Sequence, residues 1–213
     1  MVYLFYVCID QEKITKFITE NKTILPSRDR EQVASFKTAQ SACHFIAGRK
    51  LLVHGIDHLG IDHLKLSNLQ IGKYNRPFFI DSLSFNISHS GNIVVCILAE
   101  KGRLGVDIEQ ITNIEFSDYS SVFTVNEFNM MKKSSSPQSE FFKYWTRKEA
   151  IIKADGRGFN IDPLSFEVIR DEVIVDNELW FLSEVEIASS YCMHIASDVS
   201  LNSEVRLEKV AFC

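Results

Sequence analysis

Two acids, Asp107 and Glu109, stand two residues apart in the run Leu104-Gly105-Val106-Asp107-Ile108-Glu109. On a strand, alternate side chains share a face. Leu104, Val106 and Ile108 then enter a core, and the two carboxylates stand together on the other side, about 6–7 Å apart at the backbone. Such a pair is a natural ligand set for a hard cation such as Mg²⁺, which takes oxygen ligands and keeps waters and substrate phosphates around it. It reads equally as a strand end carrying solvated acids. In the segment Trp145-Thr146-Arg147-Lys148-Glu149-Ala150-Ile151-Ile152-Lys153, an advance of about 100° per residue aligns Phe142, Trp145 and Ile152 into an apolar stripe. Glu149 falls in the middle of that stripe, with Lys153 beside it. An exposed i,i+4 Glu–Lys pair needs nothing more, but a buried carboxylate needs a metal or a charge-assisted network, so Glu149 is the leading candidate for a functional acid. A third segment, Phe85-Asn86-Ile87-Ser88-His89-Ser90-Gly91, ends a strand in a turn dense with hydroxyl, amide and imidazole groups. These can grip phosphate oxygens, although Asn, Ser and Gly are also ordinary turn residues.

Other chemistry-bearing residues point nowhere in particular. His54, His58 and His63 lie around Gly55–Leu64, where the pentapeptide GIDHL is written twice. They match no zinc pattern, and zinc binding is not expected there. Gly156-Arg157-Gly158 has neither the Walker lysine context nor the Rossmann spacing. No Ser/His/Asp order or activated cysteine setting stands out.

The elements that must position these residues are legible from periodicity. Val2–Ile9 reads as a strand, and apolar residues at 33, 36, 39, 43 and 46 predict one long helix between Arg28 and Leu52. Leu83–Ile87, Ile93–Ala99 and Arg103–Glu109 read as three strands of an antiparallel meander, separated by Ser90-Gly91-Asn92 and Lys101-Gly102. Thr124 followed by Glu127 reads as a capping box opening a helix through Met131, and Glu140–Ala154 as a second helix ended by Gly156 and Gly158. Short runs at Phe166–Arg170, Val173–Val175, Leu179–Leu182, Tyr191–Ala196 and Val205–Phe212 predict another small sheet. The order sheet, helices, sheet gives an α+β chain of two comparable halves.

Composition narrows the class. With 46% hydrophobic and 24% charged residues among 213, the chain can bury a sizeable core. A net charge of −5 argues against nucleic acid as a partner. No apolar run approaches the roughly 20 residues of a membrane span, and Met1–Ile9 lacks the flanks of a signal peptide, so no membrane partner and a cytoplasmic location are expected. Cys8, Cys43, Cys96, Cys192 and Cys213 are widely spaced and mostly within apolar runs, which predicts reduced core thiols.

In this order and at these separations, the motifs NISHSG, GVDIE, FTVNE and WTRKEAIIKADGRG resemble the phosphopantetheinyl transferases of the larger, surfactin-synthetase-activating type. Gly48-Arg49-Lys50-Leu51-Leu52 looks like the end of that family's early helix, and Asn75-Arg76-Pro77 like its Lys/Arg-Pro element. The similarity spans about residues 25–170. It departs after Arg28 and Arg30, where Gln32, Lys37 and His44 stand in a stretch that the family often makes more basic.

The resemblance implies two similar α/β halves forming a pseudo-dimer within a monomer, each with a small antiparallel sheet on a long helix. The halves would be 1–103 and 104–213, with the active site in the cleft between them. It further implies transfer of the phosphopantetheine arm of coenzyme A to a serine of an apo acyl or peptidyl carrier protein, releasing adenosine bisphosphate. Asp107, Glu109 and Glu149 would hold Mg²⁺, with Glu149 also the base for the serine. Lys153 and His89 would hold phosphate oxygens, and Arg76 and Ser88 would complete the coenzyme A contacts. Glu127 matches a further family acid. The carrier would dock on the segment from Phe116 to Ser139, through Phe123, Phe128, Met130 and Met131 beside Lys132 and Lys133. The competing readings are another Mg²⁺-dependent enzyme on the same residues, such as a coenzyme A pyrophosphate hydrolase, and a non-catalytic member that only binds carriers or coenzyme A.

Overall fold

A computed structural model describes residues 1–80, 83–119, 121–201 and 205–212. Among them the architecture is mixed α/β in four layers, helix, sheet, sheet, helix. The first sheet contains β1 (Val2–Cys8), β4 (Ser84–Ser90), β5 (Ile93–Ala99) and β10 (Val205–Lys209), in the order β10-β1-β5-β4. The second contains β6 (Leu104–Gln110), β7 (Glu172–Val175), β8 (Glu178–Glu184) and β9 (Tyr191–Ser197), in the order β6-β9-β8-β7. A minor ribbon joins β2 (Gln70–Ile71) to β3 (Pro77–Phe78).

Period-two alternation produces the layering. In the first sheet Phe5, Val7, Val94, Cys96 and Leu98 face the helix α3 (Ala39–His58), where they meet Cys43, Ala47, Leu51 and Leu52. From the other face, Val2, Leu4, Ile93, Val95 and Ile97 pack on Leu104, Val106, Ile108, Met193 and Ile195 of the second sheet. Strand β5 is thus buried on both faces, and for that reason Ile93–Ala99 is apolar without interruption. The outer face of the second sheet receives the helix α5 (Pro137–Asp155), which contributes Phe142, Ile151 and Ala154 to a core with Trp180 and Ala196.

Four expectations are corrected. The helix expected over 28–52 is two: α2 (Ser27–Ser35) and α3, which follow the short opening helix α1 (Ile14–Asn21). The break comes where Phe36 turns extended and Thr38 caps α3 by accepting the Ser41 N–H. The expected three-strand meander is a β4–β5 hairpin only, because β6 leaves to pair with β9. The last strand, expected in the C-terminal sheet, instead pairs parallel with β1, so the first sheet is mixed and draws its edge from beyond residue 103. Phe166–Arg170 forms no strand.

Other expectations hold. The helix α4 (Val125–Lys133) opens on a complete Thr124–Glu127 capping box, and α5 ends at Gly156, whose φ of +87° is the left-handed cap that glycine adopts without strain. Cys43, Cys96 and Cys192 are free and buried, Cys8 is free but exposed, and Cys213 lies outside the described residues.

Candidate active site

The two sheets meet edge to edge at β4 and β6 through side chains instead of a backbone ladder. Asn86 Oδ1, Ser88 Oγ and Ser90 Oγ accept the N–H groups of Val106, Ile108 and Gln110 at 3.1, 3.4 and 3.0 Å. The polar positions of NISHS, two residues apart, therefore satisfy the exposed edge of β6 in register. Both serines have a second task. Ser88 donates to Asp107 Oδ1 at 3.0 Å, and Ser90 donates to Glu109 Oε2 at 2.7 Å.

On the opposite side of β6 from Val106 and Ile108, Asp107 and Glu109 face α5. Close approach is possible because residue 105 is glycine: a Cβ there would overlap the Ala150 carbonyl oxygen and the Ala154 nitrogen. Lys153 reaches across to Asp107 Oδ1 at 2.6 Å and Ser88 Oγ at 2.9 Å. The resulting cleft, about 270 Å³, is lined by Ile87, Ser88, His89, Asp107, Glu109, Trp145, Glu149 and Lys153. Of the seven residues selected from sequence, six line this cleft.

Arg76 is the seventh and lies outside it. Its guanidinium donates to the carbonyls of Ala154 at 2.5 Å and Leu104 at 3.2 Å, tying the C-terminal end of α5 to the start of β6. It also lines a neighbouring cavity with Lys73, Tyr74, Arg103 and Arg157. Glu127 is remote in role. It is fully buried, accepts the Val168 N–H at 2.9 Å, and lies 3.1 Å from Lys148 Nζ, which in turn donates to the Pro163 and Phe166 carbonyls. Its partners are those of a structural ion pair holding the 163–168 loop against α4 and α5.

The electrostatics of the cleft are those of crowded acids. Burial raises the Asp107 pKa, against the pull of Lys153 and Ser88. Burial likewise raises Glu109, with the Asp107 charge adding to it and the bonds from Ser90 and Trp145 opposing it. Burial and then the Asp107 charge raise Glu149. Asp107 Oδ2 is buried with no hydrogen-bond partner among the described residues. A carboxylate oxygen so placed, beside two further raised acids, fits a hard divalent cation. The oxygens of the three acids are not all within 4.8 Å of one another; among the described residues only one His/Cys/Asp/Glu group has that spacing, and it lies elsewhere. A cation here would therefore be held partly through its own waters, as Mg²⁺ commonly is.

His89 is pushed down to about 4, first by burial, then by His44 and Lys153. The His44 ring lies 4.5 Å from it, centroid to centroid. His44, Ser90 and Trp145 are not among the seven; the two-residue alternation of NISHS indicates Ser90, the helical stripe shared with Glu149 indicates Trp145, and nothing local indicates His44. In the expected docking segment, Phe123 and Met131 are core residues, 2% and 0% exposed, whereas Val125 and Met130 are 80% and 45% exposed beside exposed Lys132 and Lys133.

Comparison with known proteins gives the same direction as the geometry. Residues 103–201, which include β6 and α5, match the family model of the 4'-phosphopantetheinyl transferase superfamily. The chain is 37% identical over 102 residues to the 4'-phosphopantetheinyl transferase gsp of Aneurinibacillus migulanus, covering 47% of this chain and 43% of that protein. It is 36% identical to the L-aminoadipate-semialdehyde dehydrogenase-phosphopantetheinyl transferase of Schizosaccharomyces pombe, over 76% of this chain and 70% of that protein. To the 4'-phosphopantetheinyl transferase ffp of Bacillus subtilis it is 29% identical, over 88% of this chain and 85% of that protein. An acid-lined seam between two α/β halves, and relatives matched across that seam at this identity, lead to one assignment: the chain belongs to the 4'-phosphopantetheinyl transferase superfamily.

Proposed function

We propose that this protein transfers the phosphopantetheine arm of coenzyme A to a serine hydroxyl of an apo acyl or peptidyl carrier protein, releasing adenosine bisphosphate. The observation that carries the reading is the unpartnered Asp107 Oδ2 in a cleft shared with Glu109, Glu149, Lys153, Ser88 and His89. Asp107, Glu109 and Glu149 would hold Mg²⁺, which when bound supplies charge neutralisation for a pyrophosphate and its leaving group.

The chain's own residues would do the rest. Lys153 carries a positive charge on a stem rooted in α5 and donates to phosphate oxygens. His89, its pKa lowered, is neutral at pH 7 and enters as a hydrogen-bond donor. Glu149, raised above the ordinary glutamate range, is suited to take the serine proton, directly or through a water. Ser88 and Ser90 fix the rotamers of Asp107 and Glu109, so that little reorganisation is needed when charge develops. Arg76 would contact coenzyme A from the neighbouring cavity. The carrier, whose recognition helices are commonly acidic, would meet exposed Val125 and Met130 beside Lys132 and Lys133.

The test is intact-mass analysis of an apo carrier incubated with coenzyme A, Mg²⁺ and the protein. The carrier is expected to gain one phosphopantetheine, with stoichiometric release of adenosine bisphosphate. An unmodified carrier, or phosphopantetheine freed to water with no acceptor present, contradicts the proposal.

A further inference from the structure

A second constellation lies at the far end of α3, away from the acid cleft. His54 and His58 are one helical turn apart, and β10 brings Glu208 to them: its register against β1 sets Glu208 opposite Phe5. His54 Nε2 is 3.2 Å from Glu208 Oε1, and His58 Nδ1 is 3.9 Å from Glu208 Oε2. One ligand atom from each residue falls within 4.8 Å of the other two. Both rings are held in place by aromatic edges, His54 against Phe5 at 4.9 Å and His58 against Phe5 and Tyr3 at 5.3 and 5.2 Å.

We propose that His54, His58 and Glu208 form a Zn²⁺ site that fastens the C-terminal strand β10 to α3. Zinc takes imidazole nitrogen and carboxylate oxygen at about 2.0–2.2 Å in a tetrahedron, whose edges are then about 3.3–3.6 Å. His54 Nε2 to Glu208 Oε1, at 3.2 Å, is close to that length, and His58 Nδ1 to the other carboxylate oxygen, at 3.9 Å, is longer, so the side chains draw in around an ion from a spacing of at most 4.8 Å. Two imidazoles and one carboxylate select a borderline transition ion over Mg²⁺ or Ca²⁺, which prefer all-oxygen shells. The side chains keep 34%, 39% and 45% of their surface exposed, leaving room for an entering ion and a water as fourth ligand. The histidines come from α3 and the acid from 150 or more residues later, so the ion would cross-link a parallel edge strand that joins this sheet last in the chain. The sequence alone hides the site, because no local spacing connects Glu208 to His54.

The experiment is a ZnCl₂ titration of chelator-stripped full-length protein, by competition with a chromogenic chelator, alongside thermal melting. One equivalent of Zn²⁺ is expected, with a rise in melting temperature. His54→Ala, His58→Ala and Glu208→Gln should each weaken binding beyond the roughly 10–100-fold that outer-shell changes cost, and remove the thermal response. A double variant Asp107→Asn/Glu149→Gln should keep the equivalent, which separates this site from the cleft. No Zn²⁺ binding by the wild type overturns the proposal, as does binding that survives in the three single variants. His54 is half-buried and His58 and Glu208 are exposed, and circular dichroism of each variant verifies that the fold is intact.

Discussion

Lys153 Nζ lies 2.6 Å from Asp107 Oδ1, while Oδ2 of the same carboxyl has no hydrogen-bond partner among the described residues. One ammonium thus compensates one oxygen of a buried acid that lines the cleft and leaves the other buried without compensation. Because Lys153 also bonds Ser88, this single contact links α5, β6 and β4, and so joins both halves of the molecule.

Removing that ammonium should strand a buried charge. Lys153→Ala is expected to cost about 2–3 kcal/mol, below the roughly 3–5 of a fully buried pair because Lys153 keeps 28% of its side chain exposed. Lys153→Ala/Asp107→Asn should recover most of the loss. Urea denaturation of the four members of this double-mutant cycle measures it; additive losses would mean that the two groups do not compensate one another.

Ser88→Ala removes the donor to Asp107 and the acceptor of the Ile108 N–H together. The buried Ile108 N–H is left unpaired and Asp107 Oδ1 keeps only Lys153, which should cost about 1–3 kcal/mol. Transfer should fall through kcat more than through KM, since Asp107 loses its orientation. Steady-state kinetics on a carrier substrate give both constants, and a change confined to KM would assign Ser88 to binding alone.

Gly105→Ala is expected to be among the most damaging single substitutions. The added Cβ would meet the backbone of α5 at Ala150 and Ala154, which cannot rotate away as a side chain could. The helix must shift, which costs about 3 kcal/mol or more and carries Glu149 away from Asp107. A melting temperature within a degree or two of wild type would contradict this packing.

His194 is fully buried, bonded through Nδ1 to Thr146 Oγ1 at 2.8 Å, and its pKa is held down to about 3, chiefly by burial. The folded protein keeps this ring neutral, whereas the unfolded chain takes a proton below the ordinary histidine pKa of 6.5. The resulting stability is fully present above pH 6.5 and declines as pH falls toward 3, by about 1.4 kcal/mol per pH unit. The raised acids Asp107, Glu109 and Glu149 act oppositely, favouring the fold as they protonate. Comparing His194→Gln with wild type isolates the histidine: urea midpoints between pH 7 and 5 should decline less steeply in the variant. Parallel curves would mean that His194 does not set the acid limb.

Much of the cleft was legible in sequence because its side chains obey local periodicity. The two-residue step of Asp107 and Glu109 and the 3.6-residue step that sets Glu149 among Trp145 and Ile152 are properties of isolated elements. What periodicity could not supply was pairing. Nothing near Val205 says that β10 returns to β1, or near Leu104 that β6 abandons the hairpin, since strand partners are chosen by tertiary packing. The same gap hid Glu208 from His54, and Trp145 from Glu109. Arg76, by contrast, was visible as a residue but not in its partners, the carbonyls of Ala154 and Leu104.

The central claim is that Asp107, Glu109 and Glu149 hold one divalent cation, and it is tested most directly with Mn²⁺ as a paramagnetic substitute for Mg²⁺. Electron paramagnetic resonance should detect one bound Mn²⁺ per chain in the presence of coenzyme A, displaced by excess Mg²⁺ and lost in Asp107→Asn and Glu149→Gln with the fold intact. Undiminished Mn²⁺ binding in both variants would contradict it.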